Sequence, residues 1–124
     1  MKLVTVIPRR AAALARWRRV ARFAARFADF SVAATDLWLI NNKSGSSCTV
    51  TLPTASTNSG RVLHFQNYQA QTLVSASSNV VPLVGGAAGT AILAAVAGDT
   101  ATLVSDGTNW IMTQYVPNNV LLLE

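Results

Sequence analysis

Seven arginines stand between residues 9 and 30, at Arg9, Arg10, Arg16, Arg18, Arg19, Arg22 and Arg26, and Asp29 is the only acid among them. A guanidinium group presents a planar fork of donors that matches carboxylates and phosphates, and it keeps its charge at any workable pH. The chemistry on offer is binding of an anionic surface. Groups for catalysis are sparse. His64 is the only histidine and Cys48 the only cysteine. One histidine, one cysteine and scattered aspartates lack the paired spacing of metal ligands. Ser and Thr are plentiful, but none lies in a nucleophile-elbow pattern. The glycine-rich "GGAAGT" at 85–90 lacks the Lys-Ser/Thr pair of a phosphate-cradling loop. No enzyme activity, cofactor or metal is expected. Asp36, Asp99 and Asp106 sit at turn-like positions, where carboxylates bond nearby backbone N–H groups. Cys48 reads as a small buried hydrophobe, and a lone cysteine allows no intrachain disulfide.

The arginines need an element to align them. "KLVTVI", residues 2–7, is β-branched and reads as an extended arm that adds a strand to a neighbouring chain. Pro8 follows, and proline suits the first turn of a helix. From Arg9 the chain is rich in Ala, Arg and Leu, all strong helix formers, so a helix is expected to about Ala28. At about 100° per residue its faces separate. Ala13, Leu14, Trp17, Val20, Ala21, Ala24, Phe27 and Ala28 share one side; Arg16, Arg18, Arg19, Arg22 and Arg26 share the other. Isolated, such a helix repels itself. It requires an apolar surface for Trp17 and Phe27 and an acidic one for the arginines.

Charge is segregated along the chain. The first thirty residues carry eight basic side chains against Asp29, net +7, whereas residues 31–124 carry Lys43 and Arg61 against four acids, net −2. Charged residues make up only 12% of the chain and hydrophobic ones 51%. A surface that poor in charge implies cover by sister subunits or partners. The longest apolar stretch, "GGAAGTAILAAVAG" at 85–98, is too short and too rich in glycine to span a bilayer.

After Phe30 the texture changes. Strand-like runs alternate with turn signals: "TDLWLINN", "SGSSCTVTLP", "TNSGRVLHFQN", "QTLVSASSN", "VVPLVGG", "GTAILAAVAGD", "TATLVSDGTN" and "WIMTQYV". In "RVLHFQN" a period of two places His64 with Val62 and Gln66, opposite Leu63 and Phe65. Asp106-Gly107 marks a hairpin turn. An echo links 51–58, 72–79 and 102–109, but its offsets are too uneven for a regular solenoid. The pattern predicts a mainly β protein, a small antiparallel β-sandwich or barrel-like domain over residues 31–124, preceded by one amphipathic basic α-helix within residues 1–30.

The stretches "TVTLPTAS" (49–56), "GRVLHFQN" (60–67) and "TLVSDGTNW" (102–110) resemble a β-module of tailed-bacteriophage virion proteins, found in tail fibres, spikes and capsid-surface proteins. The resemblance covers roughly residues 31–116 and implies a non-enzymatic structural module, often trimeric. One module behind one basic helix departs from a long fibre. It points to a capsid decoration or cement protein, a homotrimer on the virion surface whose partner is the major capsid protein or another virion protein.

The residues expected to meet the capsid or a sister subunit are Arg9, Arg10, Arg16, Trp17, Arg18, Arg19, Arg22, Arg26 and Phe27. Other readings of the basic stretch are contact with nucleic acid, a place on a membrane interface, and a cleaved targeting segment. Its polar face lacks base-reading Asn and Gln and aromatic stacking residues, which weighs against nucleic acid. A tail fibre or spike-associated module is the alternative within the virion.

Overall fold

A computed structural model of the chain describes residues 23–118. Ten strands form in the order β1 (Phe23–Arg26), β2 (Phe30–Ser31), β3 (Trp38–Asn41), β4 (Cys48–Thr51), β5 (Val62–Asn67), β6 (Leu73–Ser75), β7 (Val80–Val81), β8 (Ala91–Leu93), β9 (Thr100–Ser105) and β10 (Trp110–Val116). A single 3-10 turn at Ala55–Thr57 interrupts them, and no α-helix occurs among the described residues. Every strand-like run read from the sequence after Phe30 contains a strand.

The strands make two mixed sheets. The larger has the order β1-β3-β5-β9-β10-β7 and the smaller β2-β4-β6-β8. The expected all-antiparallel pairing is corrected here. β1, β3 and β5 run parallel, with Ala25, Ile40 and Gln66 in register. β2, β4 and β6 also run parallel, with Phe30, Val50 and Ser75 in register. The physical reason lies in the connections. Each strand turns and crosses to the opposite sheet instead of folding back beside itself, so the chain winds through three successive turns of a two-sheet coil. Antiparallel pairing begins only where β8 meets β6 and where the β9–β10 hairpin meets β5. The sequence echo is not the stacking register. Val50 pairs with Ser75, whereas the echo aligns Thr51 with Thr72.

The helix expected to about Ala28 is likewise corrected over its last residues. Phe23–Arg26 is strand and pairs with Trp38–Asn41. Ala and Arg favour helix by only tenths of a kcal/mol per residue, and a ladder of backbone bonds on an existing strand outweighs that preference. The arm at 2–7, Arg9 to Arg22 and Trp17 lie outside the described residues.

The two sheets enclose one core. Leu39, Leu63, Phe65, Leu103 and Trp110 from the larger sheet meet Cys48, Val50, Leu73 and Ile92 from the smaller, all essentially inaccessible. Alternation explains the selection: in β5 and β9 every second residue is buried. Trp110 closes the core, and its indole Nε1 donates to Pro53 O at 2.9 Å. Two buried amides tie the turns together. Asn41 and Asn67 occupy equivalent places at the ends of β3 and β5. Asn67 Nδ2 donates onward to Gln71 O at 2.9 Å and Ala94 O at 2.7 Å. No buried side-chain polar atom lacks a partner among the described residues.

Candidate interaction surface

The outward face of the larger sheet lacks charge. β-pairing places Val62, Val104, Ile111 and Val81 in one continuous row across four strands. Trp38, His64, Thr102 and Gln114 make the next row, and Ala25, Ile40, Gln66, Thr100 and Val116 the third. None of these residues is Asp, Glu, Lys or Arg. A solvent-facing sheet surface ordinarily alternates to polar residues. Here four aliphatic side chains stand in line, all partly accessible.

His64 lies on this face beside Val62 and Gln66, as its spacing predicts, while Leu63 and Phe65 are buried. Its ring stacks on Trp38, with centroids 4.2 Å apart and planes 19° from parallel. Its Nδ1 lies 3.0 Å from Thr102 Oγ1. This is a packed aromatic pair on a sheet surface. No cluster of metal-ligating residues occurs among the described residues. Nor is any helix among them long and apolar enough to cross a membrane.

Of the arginines read as partner-binding, the structure describes Arg26. Its Nη2 pairs with Asp36 Oδ2 at 3.0 Å, and the guanidinium lies 5.4 Å from the centre of the Phe30 ring. Asp36 also accepts from Ala33 N at 2.8 Å. Arg61 completes the clamp, donating to Ala33 O at 2.7 Å and Asp36 O at 2.9 Å. Two arginines thus fasten the 33–36 turn against the coil. Phe27, by contrast, projects into solvent at 70% exposure. Arg26 and Phe27 both lie at the first turn of the coil.

The other charged side chains among the described residues are also structural. Lys43 Nζ meets Asp29 Oδ1 at 2.9 Å and Ser47 O at 2.9 Å. The Lys43 ammonium, then the Thr49 N–H, hold the Asp29 carboxyl below its usual range. Asp106 is lowered in the same sense by the N–H groups of Asn109 and Thr108, which it caps in the β9–β10 turn. Burial, and then the nearby negative Asp29, push the Cys48 thiol up, so it is a poor thiolate and an inert core residue. Asp36 and Asp106 bond backbone N–H groups of their own turns as expected, whereas Asp99 accepts from the distant Asn118 N and Tyr115 OH.

The apolar row on the larger sheet escaped sequence reasoning. A signal for it existed, since residues 62–98 contain no Asp, Glu, Lys or Arg. Adjacent apolar residues such as Val62-Leu63, Leu103-Val104 and Trp110-Ile111 also place one side chain on each face of a strand.

No protein-family model matches the chain, and no curated protein matches it.

Proposed function

We propose that this chain is a structural protein of a tailed-phage virion, a capsid decoration or cement protein. Its arm and basic segment hold it to the shell, and its β-body packs against sister copies. The observation that carries the reading is the division of surface chemistry. Net charge of +7 is concentrated in the first thirty residues, while the body offers an uncharged sheet face with an aliphatic row and a stacked Trp38–His64 pair. A charged anchor and an apolar, self-compatible face serve two different contacts. The arginines suit an acidic partner surface. The sheet face suits a like surface, because no charge is desolvated when it is covered.

Closed symmetry lets each copy bury that face without leaving an open end, and a trimer is the ring this reading adopts. Arg26 stabilises the fold through Asp36, so the anchoring charge falls to Arg9, Arg10, Arg16, Arg18, Arg19 and Arg22, with Trp17 and Phe27 as the apolar share. The alternative virion reading, a tail fibre or spike-associated module, draws on the coil, whose parallel turns are suited to stacking on further β-structure.

The test is decoration of purified undecorated shells, read by co-sedimentation and by imaging of the shell surface. Arg18→Glu with Arg22→Glu is expected to abolish binding while the β-body stays folded. Trp17→Ala is expected to weaken binding and leave its salt dependence unchanged. Full decoration by the double reversal at moderate salt defeats the anchor. Retention on DNA with a steep salt slope, and none on shells, moves the assignment to nucleic-acid binding.

A further inference from the structure

The chain passes out of the described residues at the rim of an apolar groove. This groove, about 570 Å³, opens between β8 and the end of β10. Its walls are chiefly Val74, Pro82, Ala91, Leu93, Met112 and Pro117. Its polar edge is already engaged. Tyr115 OH donates to Asp99 Oδ2 at 2.5 Å and accepts from Ala94 N at 2.9 Å, and Asp99 Oδ1 accepts from Asn118 N at 2.7 Å. The groove therefore favours hydrocarbon over a polar ligand.

The same bonds fix where the described chain ends. Pro117 is itself a wall of the groove. Asn118 is held through its backbone N–H by Asp99 and through Nδ2 by Ala97 O at 3.0 Å. Gly98 leaves room for it, since a Cβ there would come within 2.6 Å of Asn118 Nδ2. The sequence that follows is Asn119-Val120-Leu121-Leu122-Leu123-Glu124. In sequence, four consecutive large aliphatic residues begin three positions after Pro117, the last wall residue of the groove. Extended, they reach about 13 Å, and a tether this short gives a high effective concentration.

We propose that Val120–Leu123 dock in this groove of their own chain, covering β8, the outermost strand of the smaller sheet among the described residues. An uncovered strand edge invites pairing with other chains, and an apolar segment laid over it closes that route.

Methyl NMR on the full chain tests this. Nuclear Overhauser contacts are expected between the Met112 methyl and leucine methyls of residues 121–123. In a mixture of differently labelled chains they should arise within one chain. A full-length Leu121→Ser, Leu122→Ser, Leu123→Ser variant should lose them and bind the dye 8-anilinonaphthalene-1-sulfonate with several-fold higher fluorescence. A synthetic peptide of residues 119–124 should displace that dye. Ala91 is exposed at the rim, so Ala91→Arg should release the segment without disturbing the core and should give the same loss of contacts. Absence of the contacts in the full chain, or unchanged dye fluorescence in the triple variant, overturns the proposal. Contacts found only between differently labelled chains assign the groove to a second copy and overturn it equally.

Discussion

Asn41 donates its side-chain N–H to Asn67 Oδ1 at 2.9 Å, and both residues are about 1% exposed. They are register partners on adjacent parallel strands, so one amide sits directly over the next inside the protein. Asn67 then spans to the backbone of the 68–72 turn and of the 94–98 loop, locking two turns of the coil and its cap with one side chain.

Asn67→Ala should therefore destabilise strongly. It orphans buried carbonyls and the Asn41 amide, at about 1–3 kcal/mol for each unsatisfied group. A net loss of about 3 kcal/mol is expected by denaturant unfolding. Asn41→Ala keeps the onward bonds of Asn67 and should cost less. Equal losses for the two would show that the onward bonds contribute nothing.

Trp110→Ala should cost about 3–5 kcal/mol, the range for an aromatic truncated in a packed core. Trp110→Phe should recover part of this but leave Pro53 O without its donor. Thermal melts of the two variants separate the packing and hydrogen-bonding contributions.

Ile111→Glu should disrupt self-association and spare the fold. Ile111 stands mid-row on the larger sheet between Val104 and Val81, where a carboxylate would lose its water on association. Analytical ultracentrifugation should give a smaller species with unchanged β-type circular dichroism. A wild-type mass of one chain at micromolar concentration removes the interface.

Alkaline pH should destabilise through Tyr115. Burial, and then its hydrogen bond to Asp99, raise this phenol, so the folded state holds the proton after the unfolded chain has released it. The stabilisation is complete below the unfolded value of about 10 and is lost as pH climbs through the folded one. The raised Cys48 thiol adds a slope of the same sign from about pH 8.5. Tyr115→Phe should flatten the limb above pH 10 and leave the thiol's portion. An unchanged limb in that variant would contradict the assignment.

Acid should act through Asp29 and Asp106, both lowered. Their contribution is present above the unfolded value of about 3.9 and disappears as pH falls through the folded values. Asp29→Asn and Asp106→Asn should each shallow the acid limb of an unfolding curve. Both groups are solvent-facing, so the change is expected to be small.

The strands were legible because their signals are local. Alternation in "RVLHFQN" and the Asp106-Gly107 turn specify β5 and the β9–β10 hairpin from neighbouring residues alone. Partner choice is not local. Nothing within "WLIN" or "CTVT" states that each lies parallel to a strand 26 or 25 residues on, and the repeated Thr-Leu motif points to a different register. Phe23–Arg26 misled for the converse reason. Its helix propensity is real, but the Trp38–Asn41 edge supplies backbone partners that no local reading could anticipate. The outer aliphatic row was encoded as adjacent apolar residues, and only the pairing brings Val62, Val104, Ile111 and Val81 into line.

The coil also sets how this molecule can change over evolutionary time. Each turn adds one strand to each sheet and raises the stack by about 4.8 Å. A whole turn can be gained or lost between β3 and β5 while β1 and the hairpin cap each keep a strand to pair with. Length along the axis is therefore adjustable in discrete steps, whereas width is fixed by the two-sheet cross-section. Chains built on this plan are expected to differ by complete turns and to preserve the amide at each Asn41-like position, since that side chain must be met by the next one in the stack.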